Sequence, residues 1–306
     1  MTAGRRAGID VGGTKCLGVV VDGAGAVVDE VRRPTPVGAG PLLDTLASIV
    51  GDLGPVDSVG VGLPGLVSRG GVLRAAPNLV DVGDLAVGEL LAARLGHEVH
   101  VDNDATCAAV AEWLLGAGRG VDDLVVVTLG TGIGSGIVVG GRLVRGANGY
   151  TGEAGHMVVD PEGPSCPCGR RGCWERYASG SGLARLATAA AASGRLAHPG
   201  DSARVLRGED VFAAAESGDA DAVAVVDEFA RWVAVGLANL TNLLDPARLV
   251  VGGGLVAAQH VFMPAVRRWF PELLYAPGSR EHPEITVAIL GDRAGAVGAA
   301  LLAEVQ

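Results

Sequence analysis

Two segments of this chain share one pattern, in which a strand is followed by a glycine turn and a second strand. The first segment runs from Gly8 to Val21, and the second, about 120 residues later, runs from Leu124 to Val139. Apolar and β-branched runs on either side of a glycine-rich turn are typical of β-hairpins. The duplication predicts two domains built on one plan, each presenting a glycine loop. A single phosphate-bearing ligand held between the two loops would explain it.

The remainder of the chain alternates strand-like and helix-like segments. Further strands are predicted over 59–65, 99–104 and 248–254, and helices over 105–115, 183–197, 211–244 and 294–305. Residues 191–210 have the least pattern and are predicted to form a surface loop. This alternation indicates the α/β class with mixed sheets.

Composition excludes several classes of protein. A chain of 306 residues with 49% hydrophobic residues can bury a sizeable core, which excludes general disorder. The net charge is 24 − 34 = −10 and there is no basic run, so nucleic acid and anionic membrane surfaces are not expected partners. No segment has the pattern of a membrane span or a signal peptide. The five cysteines do not suggest a disulfide framework, and a reducing cytoplasm is the expected location.

Three of the cysteines lie within eight positions. These are Cys166, Cys168 and Cys173, and His156 lies ten residues before the first of them. Three thiolates and one imidazole complete a tetrahedral Zn²⁺ shell with no open position, which is typical of a structural rather than a catalytic metal. The alternative is a set of buried free cysteines or a disulfide. Cys16 and Cys107 are predicted to be ordinary packing residues.

The first glycine turn is a candidate phosphate site. Asp10 precedes Gly12, Gly13, Thr14 and Lys15, and Lys15 is the only lysine in the chain. Glycine N–H groups and a threonine hydroxyl can approach a phosphate, and a carboxylate can hold Mg²⁺ through water. The spacing fits neither a Walker loop nor a dinucleotide fingerprint. In a chain with 49 glycines, such a turn by itself is equally compatible with simple turn chemistry.

Five polar side chains near these segments form a candidate sugar site: Asn103, Asp104, Glu153, His156 and Glu175. Two of them have an ordinary alternative explanation. Asp104 at the start of a helix is a typical N-cap, and an isolated Glu175 is a typical surface charge. As a set, the five side chains are rich in hydrogen-bond acceptors and suit the neighbouring hydroxyls of a sugar, with one aspartate remaining as a base.

Taken together, these segments resemble the ROK family, which comprises sugar kinases and sugar-responsive repressors. The resemblance covers nearly the whole chain and rests on residues 10–15, 101–105, 129–156 and 166–175. It implies the actin-like ATPase fold, related to ribonuclease H, with two α/β lobes around a cleft for nucleotide and sugar. The first lobe would comprise residues 1–118, with the C-terminal helix at about 292–306 packing back on it. The second lobe would comprise residues 119–291, including the zinc site.

The resemblance also implies roles for individual residues. Asp104 would be the general base that accepts the proton of the sugar's 6-hydroxyl. The ring hydroxyls would contact Asn103, Glu153, His156 and Glu175, with additional contacts from Gly65 and Asn78. ATP would contact Gly12, Gly13, Thr14, Lys15, Thr131 and Gly132 through its phosphates and lie near Gly253 and Gly254 through its adenosine. Asp10 would lie near Mg²⁺, and one ring nitrogen of His156 would bind zinc while the other meets a sugar hydroxyl.

Glucose, phosphorylated by ATP, is the expected substrate. The alternatives are another hexose or an N-acetylhexosamine (N-acetylglucosamine, N-acetylmannosamine, mannose or fructose), because the same side chains serve several sugars. Polyphosphate is a disfavoured donor, since relatives that use it generally lack the zinc cysteines. A repressor would need a helix-turn-helix module ahead of the first phosphate segment, where nine residues precede Asp10.

One departure from the family pattern and one expectation about assembly remain. The segment after Asn78 lacks the tryptophan that many members carry there, so the form of this sugar-side loop is left open. The long apolar helices, and the assembly that the family resemblance implies, favour a homodimer or a homotetramer.

Overall fold

The structure, a computed structural model, describes residues 4–76, 78–196 and 207–305. These residues divide into two compact units. Unit 1 contains the described residues within 1–126, 135–152 and 288–306, and unit 2 contains those within 127–134 and 153–287. The lobes expected from the family resemblance, 1–118 with 292–306 and 119–291, stay a prediction.

The described strands are β1 (Arg6–Val11), β2 (Lys15–Val21), β3 (Val27–Pro34), β4 (Ser58–Leu63), β5 (Leu66–Val67), β6 (Leu73–Ala75), β7 (Gly83–Leu85), β8 (Val99–Asn103), β9 (Leu124–Leu129), β10 (Ile133–Val139), β11 (Arg142–Leu143), β12 (Arg248–Gly252) and β13 (Glu284–Val287). The described α-helices are α1 (Ala39–Leu53), α2 (Val87–Leu95), α3 (Asp104–Leu114), α4 (Glu175–Ala178), α5 (Gly180–Ala192), α6 (Gly208–Glu216), α7 (Ala220–Leu244), α8 (Gln259–Leu273) and α9 (Ala294–Ala300). Within this part of the chain, no helix is long and apolar enough to cross a membrane.

The main sheet of unit 1 has five strands in the order β3-β2-β1-β4-β8. The two hairpin pairs β1–β2 and β2–β3 are antiparallel, whereas β1, β4 and β8 are parallel. The register places Asp10 opposite Gly62, and Gly62 opposite Asp102. Since parallel strands end at the same edge of a sheet, Asp10 and the end of β8 lie along one carboxyl edge, where ligands bind in open α/β sheets.

Two further sheets complete the strand pairing. One has five strands in the order β11-β10-β9-β12-β13, with β12 and β13 parallel, and the other has three strands in the order β5-β6-β7. Both predicted strand–glycine–strand segments are thus observed as neighbouring strands, β1 with β2 and β9 with β10. Parallel and antiparallel pairs occur together, which confirms the α/β class with mixed sheets.

The core of unit 1 is built on both faces of its main sheet. The apolar residues of β2 contribute to both faces of the sheet. Leu17 and Val19 join a buried cluster with α3 and α9, whereas Val20 joins a second cluster with α1. Glycines allow α9 to approach the sheet closely. A Cβ atom at Gly8 would lie 2.0 Å from the carbonyl oxygen of Ala296, a distance that no real side chain tolerates.

Aromatic side chains organise the core of unit 2. Phe212 of α6, Phe229 of α7 and Phe262 of α8 form one cluster, with ring centroids 5.6 to 6.1 Å apart. Trp174 is fully buried, and its indole N–H donates to the carbonyl oxygen of Trp232 on α7 at 2.7 Å. The segment that contains the cysteines is therefore anchored on the longest helix of the unit.

Three predicted helices have different bounds. The single helix predicted over 211–244 is two helices, because Gly218 has a positive φ of 85° and Asp219 caps the second helix with its side chain. The helix predicted over 183–197 is Gly180–Ala192, since Ser179 provides an N-cap earlier in the chain. The predicted helix 294–305 ends at Ala300 and continues as a short 3₁₀ turn, Leu302–Glu304. Within the predicted loop 191–210, residues 197–206 lie outside the described residues.

The contact between Trp174 and α7 leads to a prediction about stability. A Cβ atom at Gly236 of α7 would lie 1.9 Å from the Trp174 ring, so Gly236→Ala should lower the free energy of unfolding by about 1–3 kcal/mol through overpacking. Gly51→Ala is the matched control, because a Cβ atom at this helical glycine would have no neighbour within 4 Å. That substitution should be neutral or stabilise by up to about 1 kcal/mol. Urea unfolding measures both values, and equal effects of the two substitutions would contradict the packing argument.

Candidate active site and metal centre

The glycine turn between β1 and β2 is held in shape by backbone and side-chain hydrogen bonds. The N–H of Gly12 donates to the carbonyl oxygen of Lys15 at 2.9 Å. Thr35 supports the turn from the end of β3, since its hydroxyl donates to the Gly12 carbonyl at 2.6 Å and its N–H donates to the Thr14 carbonyl at 3.0 Å. Gly13, Thr14 and Lys15 are exposed. A preformed turn with exposed glycine backbone is suited to bind an anion.

Asp10 is the penultimate residue of β1, beside this turn, and the pKa of its carboxyl group is shifted. Burial raises the pKa of its carboxyl group to about 6, while Lys15 lowers it and Asp292 raises it further. The ammonium group of Lys15 lies 3.8 Å from the Asp292 carboxylate in an exposed ion pair. Gly295 of α9 packs on the carboxyl group, because a Cβ atom there would lie 2.7 Å from Asp10 Cγ. A cation beside Asp10 would offset the cost of its buried charge.

The end of β8 presents the next two candidates in a defined geometry. Asn103 is the N-cap of α3, and its side-chain oxygen accepts the N–H groups of Ala105 and Thr106 at 2.9 and 3.1 Å. Its side-chain amide donates to the carbonyl oxygen of Gly65 at 3.1 Å, which joins two of the predicted sugar contacts. The alternative that Asp104 is the N-cap is therefore wrong. Asp104 is the first residue of α3 and accepts the N–H of Ala105 at 2.8 Å.

The other predicted sugar-site residues come together within unit 2. His156 Nε2 lies 3.8 Å from a carboxylate oxygen of Glu153. Burial raises the pKa of Glu153, while His156 lowers it and Glu175 raises it further. Glu175 begins α4, and one of its oxygens accepts the N–H of Ile133 at 2.9 Å. This carboxylate therefore also supports the second glycine loop.

The four predicted metal ligands form one cluster in unit 2. One ligand atom from each of His156, Cys166, Cys168 and Cys173 lies within 4.8 Å of the other three. The thiols of Cys168 and Cys173 are 3.6 Å apart, and Cys166 Sγ lies 3.9 Å from Nδ1 of His156. Tetrahedral Zn²⁺ with sulfur at about 2.3 Å requires sulfur–sulfur separations of roughly 3.8 Å. The donor set and its spacing therefore fit zinc.

Backbone hydrogen bonds between residues close in sequence shape the loop that carries these thiols. The N–H of Cys166 donates to the Arg170 carbonyl at 2.8 Å, and the N–H of Gly169, whose φ is +90°, donates to the Cys166 carbonyl at 3.0 Å. At Gly172 a Cβ atom would lie 1.5 Å from the carbonyl oxygen of Asp160. The glycines between the cysteines are therefore required by close backbone contacts as well as by turns.

The second glycine loop is surrounded by further backbone contacts in unit 2. The N–H of Gly130 donates to the carbonyl of Gly132 at 3.0 Å, and the N–H of Gly180 donates to the Gly130 carbonyl at 2.8 Å. Gly253 has a φ of +85°, and a Cβ atom there would lie 2.4 Å from the Leu129 carbonyl oxygen. The predicted nucleotide residues of this unit, Thr131, Gly132, Gly253 and Gly254, thus lie around the end of β9.

The two units therefore hold two separate sets of candidate residues. Unit 1 contains Asp10, Gly12, Gly13, Thr14, Lys15, Gly65, Asn78, Asn103 and Asp104, and a Cβ atom at Gly13 would lie 3.6 Å from the Asn78 carbonyl. Unit 2 contains Thr131, Gly132, Glu153, His156, Cys166, Cys168, Cys173, Glu175, Gly253 and Gly254. Sequence reasoning missed Thr35 and Gly180. The serine–glycine repeat at 179–182 is the only local signal for Gly180, and Thr35 has none because its partners Gly12, Thr14 and Cys16 lie 19 or more residues away.

Comparison with known proteins identifies the family. The ROK family pattern matches residues 6–306 of this chain. The chain belongs to the ROK family. The glucokinase of Streptomyces coelicolor is 38% identical over 306 residues, which cover 97% of this chain and 96% of that protein. The N-acetylmannosamine kinase of Escherichia coli is 34% identical over 300 residues, which cover 97% of both chains.

A solved ROK structure is similar over the same length. The ROK family glucokinase of Streptomyces griseus, in complex with glucose and AMPPNP, superimposes with a TM-score of 0.85 at 37% identity, covering 98% of this chain and 99% of that one. ROK membership and the actin-like ATPase fold, both predicted from the sequence, are thereby confirmed.

Proposed function

We propose that this ROK protein transfers the γ-phosphoryl group of ATP to the 6-hydroxyl of glucose. One structural observation carries the proposal. The exposed glycine turn after Asp10 and the carboxylate of Asp104 follow strands that end at the same carboxyl edge of the unit 1 sheet. A turn suited to an anion and a carboxylate suited to act as a base at the same edge support phosphoryl transfer. The 38% identity to the Streptomyces coelicolor glucokinase supports the choice of sugar kinase and of glucose.

Asp104 acts as the general base. It accepts the proton of the 6-hydroxyl as that oxygen attacks phosphorus, and most of the rate acceleration comes from positioning and charge neutralisation. Its place as the first residue of α3 fixes its backbone. Asn103 has its side-chain oxygen committed to the N-cap and one amide hydrogen committed to Gly65, so its second amide hydrogen is the group offered to a sugar hydroxyl.

The phosphate contacts are assigned to two turns. Gly12, Gly13 and Thr14 offer backbone N–H groups and a hydroxyl, and Lys15 offers a compact positive charge. Thr131 and Gly132 form the corresponding turn of unit 2, and the adenosine lies near Gly253 and Gly254. Mg²⁺ held near Asp10 would neutralise phosphate charge, and the burial that raises the pKa of Asp10 fits a carboxylate that functions beside a cation.

The ring hydroxyls are assigned to Glu153, His156 and Glu175, and Gly65 and Asn78 are assigned as additional sugar contacts. Because Nδ1 of His156 faces the thiols, Nε2 is the nitrogen that meets the sugar and Glu153. Zn²⁺ bound by His156 and the three cysteines would fix the tautomer and orientation of this ring. The metal is structural in this proposal and takes no part in the chemical step.

A sugar panel tests the choice of substrate. A coupled assay with ATP should give a kcat/KM for glucose that exceeds the values for mannose, fructose, N-acetylglucosamine and N-acetylmannosamine by about tenfold or more, the discrimination expected from well-fitted polar contacts. N-acetylmannosamine is the second candidate, because the Escherichia coli kinase for this sugar is 34% identical. If kcat/KM is higher for N-acetylmannosamine than for glucose, the assignment of glucose is wrong and N-acetylmannosamine is the substrate.

A further inference from the structure

A buried ion pair lies directly behind the candidate base. Asp102 lies on β8, two residues before Asp104, and is only 5% exposed. One oxygen of its carboxylate accepts the backbone N–H of Asn103 at 2.9 Å, and the other accepts the Nε–H of Arg145 at 2.7 Å. A buried carboxylate is costly unless it is paired and hydrogen-bonded, so these two partners fix the orientation of Asp102.

Arg145 is itself held at two points. Besides the bond to Asp102, its Nη1–H donates to the carbonyl oxygen of Val305 at 3.1 Å. The guanidinium group is planar and rigid, so two bonds in different directions define its plane. The adjacent backbone is also fixed, because Arg69 donates from Nε to the Gly146 carbonyl at 2.6 Å and from its N–H to the Asn148 carbonyl at 3.0 Å.

The contacts of Asn103 extend this arrangement to the reacting group. Its backbone N–H is held by Asp102, its side chain caps α3, and its amide reaches Gly65. The chain is therefore held before the Asn103–Asp104 peptide bond through the N–H of Asn103, and after it through the N–H groups of Ala105 and Thr106. A shift of Asp102 would be transmitted directly to the position of the Asp104 carboxylate.

We infer that Arg145 is a positioning residue for the Asp104 base: through Asp102 it holds the end of β8 in the orientation that phosphoryl transfer needs. The inference rests on the proposed role of Asp104. It explains why a costly buried ion pair occurs at this point of the fold, where an apolar pair would fill the same space. A displacement of about 1 Å at a reacting group can reduce turnover on the order of 100-fold, so a remote clamp of this kind has a measurable effect.

The first test compares two arginines of one segment. Arg145→Met should lower kcat by about 10- to 100-fold and leave the KM values for glucose and ATP within about threefold, because the substrate contacts themselves are unchanged. Arg142→Met is the matched control, since Arg142 is exposed on β11 three residues earlier, and it should behave as the wild type. A folded Arg145→Met protein with wild-type kcat would overturn the inference.

A second variant separates positioning from stability. Arg145→Met leaves Asp102 buried without its cation, which lowers stability, whereas the double variant Asp102→Asn with Arg145→Met removes both charges and should regain the melting temperature. If Arg145 positions the base, kcat stays low in the double variant although the fold is restored. If kcat recovers together with the melting temperature, the pair is merely structural and the inference fails. This comparison also decides the question if Arg145→Met alone does not fold.

Chemical rescue provides an independent readout. A cavity of about 200 Å³ is lined by both Asp102 and Arg145, together with Ser68 and His100, so a small cation can reach the vacated position in an Arg145→Gly variant. Methylguanidinium should raise the kcat of that variant severalfold, and it should leave the kcat of the Asp104→Asn variant unchanged. Wild-type turnover of folded Arg145→Gly, or low turnover that methylguanidinium does not raise, would count against positioning. A wild type inactive on every sugar refutes the proposed function, whereas an active wild type with unaffected Arg145 variants refutes only this inference.

Discussion

Asp104→Asn should lower kcat for glucose phosphorylation by about 10²- to 10⁴-fold, the usual contribution of a general base. Asparagine has nearly the same shape and retains an oxygen that can accept the N–H of Ala105, as Asp104 does at 2.8 Å. What it loses is the ability to take the proton of the 6-hydroxyl. Glucose binding, measured by titration calorimetry, should therefore change by no more than a few fold.

The same substitution has a small expected cost in stability. Asp104 is an acidic residue in the first turn of α3, where a negative charge interacts favourably with the helix dipole by about 0.3–1 kcal/mol. A loss of stability within this range cannot account for the expected fall in turnover. Asp44→Asn on the exposed face of α1 is the control and should leave kcat unchanged. Near-normal turnover of Asp104→Asn would remove this residue from the catalytic role.

Loss of the metal should weaken glucose binding more than ATP binding. Cys168→Ser removes one of four ligands whose donor atoms lie within 4.8 Å of one another, and a chelator removes the ion from the wild type. The zinc-free protein should show a glucose Kd raised by about 10- to 100-fold, since His156 loses the contact that fixes its ring. Its melting temperature should also fall, because binding of a structural metal contributes to folding.

The control for this experiment lies in the same chain. Cys16 is buried on β2 of unit 1, outside the ligand cluster, so Cys16→Ala should retain one bound zinc per chain and normal glucose affinity. Metal content is measured by elemental analysis on the samples used for calorimetry. Normal glucose affinity in protein shown to contain no zinc would contradict the coupling between the metal and the sugar site.

The features that could be predicted from the sequence are those encoded within short segments. Both glycine hairpins follow from apolar runs around glycines, and the four metal ligands follow from cysteine spacing with one nearby histidine. Their structural counterparts are strands β1 with β2, strands β9 with β10, and one compact cluster. In each case the partners are close in sequence, so local chemistry is sufficient to predict the contact.

The features that could not be predicted depend on distant partners or on competition between neighbours. Asn103 and Asp104 are both good N-cap residues, and the choice of Asn103 follows from its second bond to Gly65, 38 residues away. The pairing of Asp102 with Arg145 spans 43 residues and has no local signal. The break between α6 and α7 is a different case, because it does have a local signal that the prediction of one helix over 211–244 overlooked: the polar segment Ser217-Gly218-Asp219 supplies a glycine whose positive φ ends the first helix and an aspartate that caps the second.

Phosphorus-coupled NMR of the product tests the central claim most directly. Wild-type protein, ATP, Mg²⁺ and glucose are incubated together, and the carbon that carries the new phosphoryl group is identified. The account predicts glucose 6-phosphate as the sole sugar phosphate, formed in amounts equal to the ADP released. Phosphate on carbon 1, or ADP release without any phosphorylated sugar, would contradict it.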